Sequence, residues 1–402
     1  MSESFKTILE CRCCGNPVDE LLDLNEQPLA NLYHKEEEYL EEYPLKLNLC
    51  HKCFHMQLSV AVNPELMFKN YLYVSGTTNT LHEYFNFFAH ETVQRYEKLF
   101  NKKPKSVLDI ACNDGTQLDY YKKLGVETFG IDPAENLYER SSKNHNIICD
   151  FFPSNKISGK YSLIIAQNVF AHTHDITSFL NQCYDLLDEE GLLFIQTSQA
   201  AMIGNNEFDT IYHEHVSFFS TKSMKTILEK CKFFLNNVSV YKIHGLSYVF
   251  EASKTKHNDK DLLNNTFEKE MGLYNLSTYE KFAENAEKIA YDFKSTIDTH
   301  RNKGFKIIGY GAAAKGNTLL NFSKATLDYI LDDNPLKQGL YTPGSNILIK
   351  STSSLLEEKS DKILFIPLAW NFYDEIYGKI KRLRDSSNDL FLKYFPCIDV
   401  LT

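Results

Sequence analysis

An α/β protein in three parts is what the amino-acid sequence predicts: a small metal-stapled module, then two units in which short apolar runs alternate with helix-like stretches. Three observations carry this reading. The chain has 402 residues, more than one hydrophobic core usually organises. Two CxxC pairs fall within its first 53 residues. From Ser106, and again from Phe305, the pattern becomes the strand-helix alternation of a parallel sheet with crossover helices. The expected divisions are 1–72, 73–254 and 255–402.

Apolar residues at 43% and aromatics at 13% fit a globular chain throughout. A formal net charge of -10 argues against a surface built for nucleic acid or anionic lipid, which need a positive field. The start, "MSESFKTILE", lacks a charged-then-apolar leader, and no window is apolar for long enough to span a bilayer, so a cytoplasmic protein without a membrane partner is expected. In that compartment the ten cysteines are mostly reduced thiols, and a close-set group of them points to a metal.

Residues 1–72 show little clean periodicity. Cys11 and Cys14 form one CxxC, and Cys50 and Cys53 form another after thirty-five residues. Two such knuckles supply four thiolates, a set that suits tetrahedral zinc and leaves no position open for chemistry, so the zinc is expected to be structural. Cys13 can replace a neighbour; His51 and His55 are weaker candidates.

The first α/β unit reads "SVLDIA", helix "TQLDYYKKLG", "ETFGID", "YSLIIAQNVF", helix "ITSFLNQCYDLLDEEG", "LLFIQT" and a closing strand "GLSYVFEAS". Its first strand ends near Asp109 before the turn Asn113-Asp114-Gly115. Without GxGxxG, a dinucleotide is a poor fit. An acidic strand end and a tight glycine turn instead suit the cationic parts of S-adenosylmethionine. Asp132, seventeen residues beyond Gly115, is placed to accept ribose hydroxyls, and Asp150 to meet the adenine amino group with Phe151 on the ring. Gln167 and Asn168, closing the next strand, complete the candidate cofactor set. These residues predict a Rossmann-like S-adenosylmethionine methyltransferase domain.

A polar connector follows, with a helix expected to open at Ser277 through a Ser277/Glu280 capping box and to bury Phe282, Ile289, Phe293 and Ile297. The last unit, a second Rossmann-like α/β domain, contains "GYGAAAKGNTLL". Small residues there either admit a phosphate to a helix N-terminus beside Lys315 and Asn317, or allow close helix-strand packing. Asn371 in "AWNF" is a further candidate, and Trp370 reads equally well as core.

Two histidine-bearing stretches remain, "FAHTHD" with His172 and His174, and "IYHEHVSFFS" with Tyr212, His213, Glu214 and His215. The first reads on its own as a histidine pair at a strand end. The second follows the strand "LLFIQTS", where a parallel sheet opens its ligand crevice. Its histidines are two apart, so the HExxH zinc-hydrolase pattern is not met. Residue chemistry alone does not choose between His213 and His215 as a base.

Taken together, the sequence resembles the nucleotide-sugar C-methyltransferases of deoxysugar biosynthesis, including those acting on dTDP-linked 4-ketosugars. The matching stretches are "CRCCGNPVDELLDLNEQPLAN", "YPLKLNLCHKCFHMQL", "YLYVSGTTNT", "DIACNDGTQLD", "NVFAHTHD", "YHEHVSFFS", "YGAAAKGNTLLNF", "YILDDNPLKQGLYTPGSNILI" and "LAWNFYDEI", in order over nearly the whole chain. The resemblance implies a zinc-binding domain, an S-adenosylmethionine domain and a C-terminal α/β domain. It implies methylation beside the ketone of a nucleotide-linked 4-keto-deoxysugar, usually at the third carbon and in some members at the fifth. By the same resemblance His215 is the base, Tyr212 and Glu214 stand beside it, His172 and Tyr73 line the sugar site, and Lys315 faces the pyrophosphate. The chain departs from the family's pattern at Ser75-Gly76, where two serines are common, and at Leu246, where a glycine is common.

A base is needed because carbon becomes nucleophilic only when a proton beside a carbonyl is removed, and donors must then meet the developing oxyanion. Two other readings compete. A zinc-knuckle RNA methyltransferase conflicts with the acidic charge and the lack of a basic stripe. A non-catalytic nucleotide-sugar-binding protein leaves the acid-base cluster without a task.

Overall fold

The structure is a computed structural model describing residues 4–36, 39–68, 74–258, 261–384 and 386–402. Leu22, Leu24, Leu45, Leu47 and Leu49 are buried on strands Asp19–Pro28 and Glu42–Leu49, which pair antiparallel and form a sheet with Met56–Leu58. The N-terminal module is therefore more regular than its sequence suggests. Register shifts between Glu20 and Leu22, and again between Asp23 and Glu26, interrupt the period-two pattern by which a strand is recognised. Its fourth strand, Ser217–Phe218, arrives from the "YHEHVSFFS" stretch and pairs with Gln57 and Met56.

The second sheet has seven strands in the spatial order Phe234–Tyr241, Ser247–Ser253, Leu187–Thr197, Tyr161–Gln167, Ser106–Ile110, Glu127–Asp132, Asn146–Cys149. Only Ser247–Ser253 runs antiparallel to its neighbours. Successive strands leave Ser106–Ile110 first on one side and then on the other, so a crevice opens at the carboxyl ends of Ser106–Ile110 and Tyr161–Gln167. The helix expected through "LLDEEG" stops at Leu186, because Leu187 is fully buried and pairs with Tyr161. Burial and ladder pairing override helix propensity there.

The connector helix is Leu276–Asn302. Asn275, two residues before the expected Ser277, is its N-cap and accepts from the Ser277 amide at 3.2 Å. Phe282, Ile289, Phe293 and Ile297 are buried as expected, in one core with Leu22, Leu24, Leu45 and Leu47 of the first module and Ile307, Leu364 and Leu392 of the last. This shared core holds the N-terminal module against the C-terminal unit.

The last sheet has the order Ile349–Ser351, Tyr329–Asp332, Lys306–Tyr310, Ile363–Pro367, Leu390–Lys393, Asp399–Leu401, parallel save for its final pair. Its order reverses between Lys306–Tyr310 and Ile363–Pro367; Lys315 lies in the first turn of the helix Ala314–Ser323 that follows the one strand, and Asn371 in the turn Trp370–Phe372 that follows the other. Among the described residues no helix is long and apolar enough to cross a membrane.

Candidate active site

The four cysteines of the two knuckles meet. Cys11, Cys14, Cys50 and Cys53 place their sulfurs within 4.8 Å of one another, with Cys11–Cys53 and Cys14–Cys50 each at 3.5 Å. Zinc–sulfur bonds of roughly 2.3 Å in a tetrahedron put sulfurs about 3.8 Å apart, so the set fits zinc. Cys13 is buried but outside the group, His55 faces Ser217 Oγ at 3.2 Å, and His51 faces Asp19.

The "YHEH" stretch is fixed at both ends, by the turn Phe208–Thr210 before it and by the strand Ser217–Phe218 after it. His215 Nδ1 lies 2.7 Å from the Thr210 carbonyl oxygen, which can only accept. The proton therefore sits on Nδ1, and Nε2 offers its lone pair to the Tyr212 hydroxyl at 3.0 Å. Burial, with His172 beside it, holds the His215 imidazole well below the usual histidine range. The His172 ring is 5.0 Å from that of His215, and burial lowers its pKa to about 4.

His213 turns the other way. Its Nε2 is 3.2 Å from the Tyr43 carbonyl and its ring meets Tyr43 edge-on. Glu214, 5% exposed, accepts from the Asn31 side-chain amide. Tyr73 lies outside the described residues.

At the crevice of the seven-stranded sheet, Asn113 (φ 51°) and Gly115 (φ 80°) turn the chain into the helix Thr116–Lys123. Asp132 braces that turn, accepting from the Asn113 and Ala134 amides at 2.8 Å each. Asp109 is buried, and burial followed by the nearby Asp132 pushes its pKa well up. Asp150 is engaged with Ser154 Oγ at 2.7 Å and Lys156 Nζ at 3.0 Å. Gln167 donates to Gln196 at 3.0 Å, and Asn168 keeps a buried Oδ1 without a hydrogen-bond partner among the described residues.

The Ser75-Gly76 segment, marked in the sequence only as a departure from the family's pattern, closes this crevice. The Ser75 amide donates to Asn113 Oδ1 at 2.9 Å, and the Gly76 amide to Asp114 Oδ2 at 3.2 Å. Arg140 pairs with the same Asp114 at 2.9 Å. A Cβ on Gly76 would stand 2.3 Å from Thr116 Oγ1 and 2.7 Å from Asp114 Oδ2, so a side chain there forces these neighbours or the segment to shift.

Across the domain boundary, the Lys315 ammonium is buried without a hydrogen-bond partner among the described residues and lies 4.9 Å from the Trp370 ring. The Trp370 indole donates to Asp209 Oδ2 at 2.8 Å. Burial pushes the Asp209 carboxyl up to about 7 against the opposing pull of Lys315. His244 is held down to about 4, by burial and then by Lys315. Asp209 and His244 are additions to the sequence-derived set. Asn317 donates to the Ala30 carbonyl at 2.7 Å, tying its helix to the N-terminal module. Asn371 lines a cavity of about 400 Å³ with Trp370, Tyr373 and Lys393.

Residues 11–68 match the family described as "Putative zinc binding domain", residues 81–235 the "Methyltransferase domain" and residues 242–396 the "C-methyltransferase C-terminal domain". The chain is 28% identical over 407 residues to C-methyltransferase NovU of Streptomyces niveus, covering 96% of this chain and 95% of that protein. It is 34% identical over 112 residues, 25% of this chain and 46% of the relative, to a ubiquinone biosynthesis O-methyltransferase of Glaesserella parasuis serovar 5. Among solved structures, the plantazolicin methyltransferase BpumL, in complex with a desmethylPZN analog and SAH, shares 17% identity at a TM-score of 0.37 over 43% of this chain and 85% of that one.

Proposed function

We propose, from the premise that the chain is a methyltransferase of the zinc-module C-methyltransferase family, that it moves a methyl group from S-adenosylmethionine to the third carbon of a nucleotide-linked 4-keto-deoxysugar. The observation that carries this reading is the Tyr212–His215 pair, a phenol at 3.0 Å from the free nitrogen of a neutral, buried imidazole. Such a pair has both parts that carbon-acid chemistry requires. The imidazole takes the proton beside the ketone, and the phenol, released from Nε2, donates to the oxygen on which negative charge builds.

Asn113, Asp132 and Asn168 border the crevice where S-adenosylmethionine would lie, and the buried Asn168 Oδ1, without a partner among the described residues, is an acceptor suited to a donor of the cofactor. The sulfonium supplies a methyl group already activated for attack by carbon. Ser75 and Gly76 cover the crevice and limit water. On the far side, the Lys315 ammonium, without a hydrogen-bond partner among the described residues, is suited to the substrate's pyrophosphate, with Asn371 on the turn Trp370–Phe372. Four thiolates would fill the coordination of a bound zinc, leaving it no open position for substrate.

The test is mass spectrometry of products formed with S-adenosylmethionine and a panel of nucleotide-linked 4-ketosugars. A one-methyl gain on the sugar, located on carbon, is expected. No gain on any member, or a methyl found on oxygen, contradicts the reading; a methyl on the fifth carbon keeps the chemistry and moves the position.

A further inference from the structure

Arg12 stands between two zinc-ligand cysteines, yet its guanidinium leaves the knuckle. One terminal nitrogen donates to Ser217 Oγ, and the other donates to the Thr173 carbonyl and to the His174 carbonyl at 2.6 Å. Thr173 directly follows His172, and Ser217 comes two residues after His215. One side chain thus grips both loops whose histidine rings face each other at 5.0 Å.

The knuckle end of this grip is held as well. The Arg12 amide donates to Gln57 Oε1 at 2.9 Å, and Gln57 Nε2 returns to the Glu10 carbonyl at 3.0 Å. Gln57 also pairs with Ser217 in the sheet. His55, two residues beyond the ligand Cys53, reaches Ser217 Oγ at 3.2 Å. A planar fork can bridge three acceptors on two loops at once; an ammonium is a point charge and cannot hold the same geometry.

We infer that Arg12 is a positioning residue through which the zinc knuckle sets the alignment of His172 with His215. The inference rests on the proposed role of that histidine pair. With zinc bound, the Cys11–Cys14 turn has one shape and Arg12 one reach. When the metal leaves, the turn relaxes and the two loops lose their common anchor.

The test uses full-length protein as Arg12→Gln, Arg12→Lys and Ser217→Ala, with zinc content, S-adenosylmethionine affinity, turnover and histidine-ring NMR titration as readouts. Arg12→Gln with zinc retained is expected to keep cofactor affinity, lose turnover by roughly 10–100-fold, and move the His172 and His215 titrations toward the ordinary histidine range. Chelation of the wild type is expected to move the same two titrations, Arg12→Lys to rescue them only in part, and Ser217→Ala to shift them less in the same direction. Zinc-loaded Arg12→Gln with wild-type titrations and turnover overturns the inference. If Arg12→Gln fails to fold, unchanged titrations in Ser217→Ala and in the chelated wild type do so. The titrations need no sugar, so they stand or fall apart from the sugar-methylation reading.

Discussion

The Tyr212 hydroxyl lies 3.0 Å from His215 Nε2, and the opposite ring nitrogen is anchored 2.7 Å from the Thr210 carbonyl. Each partner is thus held in one role, the imidazole as acceptor and the phenol as donor. Tyr212→Phe removes the donor and leaves the base, and a fall in kcat of roughly 100-fold or more is expected with cofactor affinity unchanged. His213→Asn is expected to alter kcat little and to cost about 1 kcal/mol of stability, since its contacts, to the Tyr43 carbonyl and ring, lie away from His215. Steady-state kinetics beside thermal unfolding separates the two.

The pH dependence follows from burial. His215 is held well below the usual histidine range, so it stays neutral as pH falls through 6.5. The acidic limb of kcat/KM is therefore expected below pH 6.5. Stability moves with it: the unfolded chain takes up protons that His172, held at about 4, and His215 refuse in the folded state. The folded form accordingly loses stability as pH drops from 6.5 toward 4. An acidic limb above 6.5 in the rate profile contradicts the burial argument.

Gly76→Ala places a methyl against Thr116 Oγ1 and Asp114 Oδ2. Asp114, Thr116 or the covering segment must give way, loosening the contacts to Asn113 and Asp114, and a weaker affinity for S-adenosylmethionine, by roughly tenfold for about 1.4 kcal/mol lost, is expected in calorimetry. An affinity equal to wild type means the segment does not close on the cofactor.

Lys315→Met keeps an unbranched side chain, one atom shorter, and removes the charge. A rise of roughly tenfold or more in KM for the nucleotide sugar is expected, with cofactor affinity unchanged. Loss of cofactor affinity instead would move Lys315 out of the substrate site.

Much of this was legible from residue chemistry. The doubled CxxC gave the metal set because thiolate spacing is local, and the strands at Ser106, Tyr161 and Ser247 were readable as apolar runs because both of their faces are buried. The N-terminal sheet was hidden by its register shifts. Arg12, Asp209 and His244 were missed because their meaning lies in distant partners: Asp209 and Trp370 are 161 residues apart. Asn317 was read toward a phosphate, but its amide donates to the Ala30 carbonyl, a contact that only the docking of the N-terminal module creates. The two histidines of "YHEH" look alike in sequence and are distinguished by the carbonyls they meet, Tyr43 for His213 and Thr210 for His215.

Hydrogen–deuterium exchange at the carbon beside the ketone, followed by NMR in heavy water, most directly tests whether His215 is the base of a carbon-acid reaction. The wild type is expected to exchange that proton in a 4-keto nucleotide sugar, His213→Asn to exchange it nearly as fast, and His215→Asn to lose exchange by roughly 100-fold or more. Exchange that persists at the wild-type rate in His215→Asn contradicts the account.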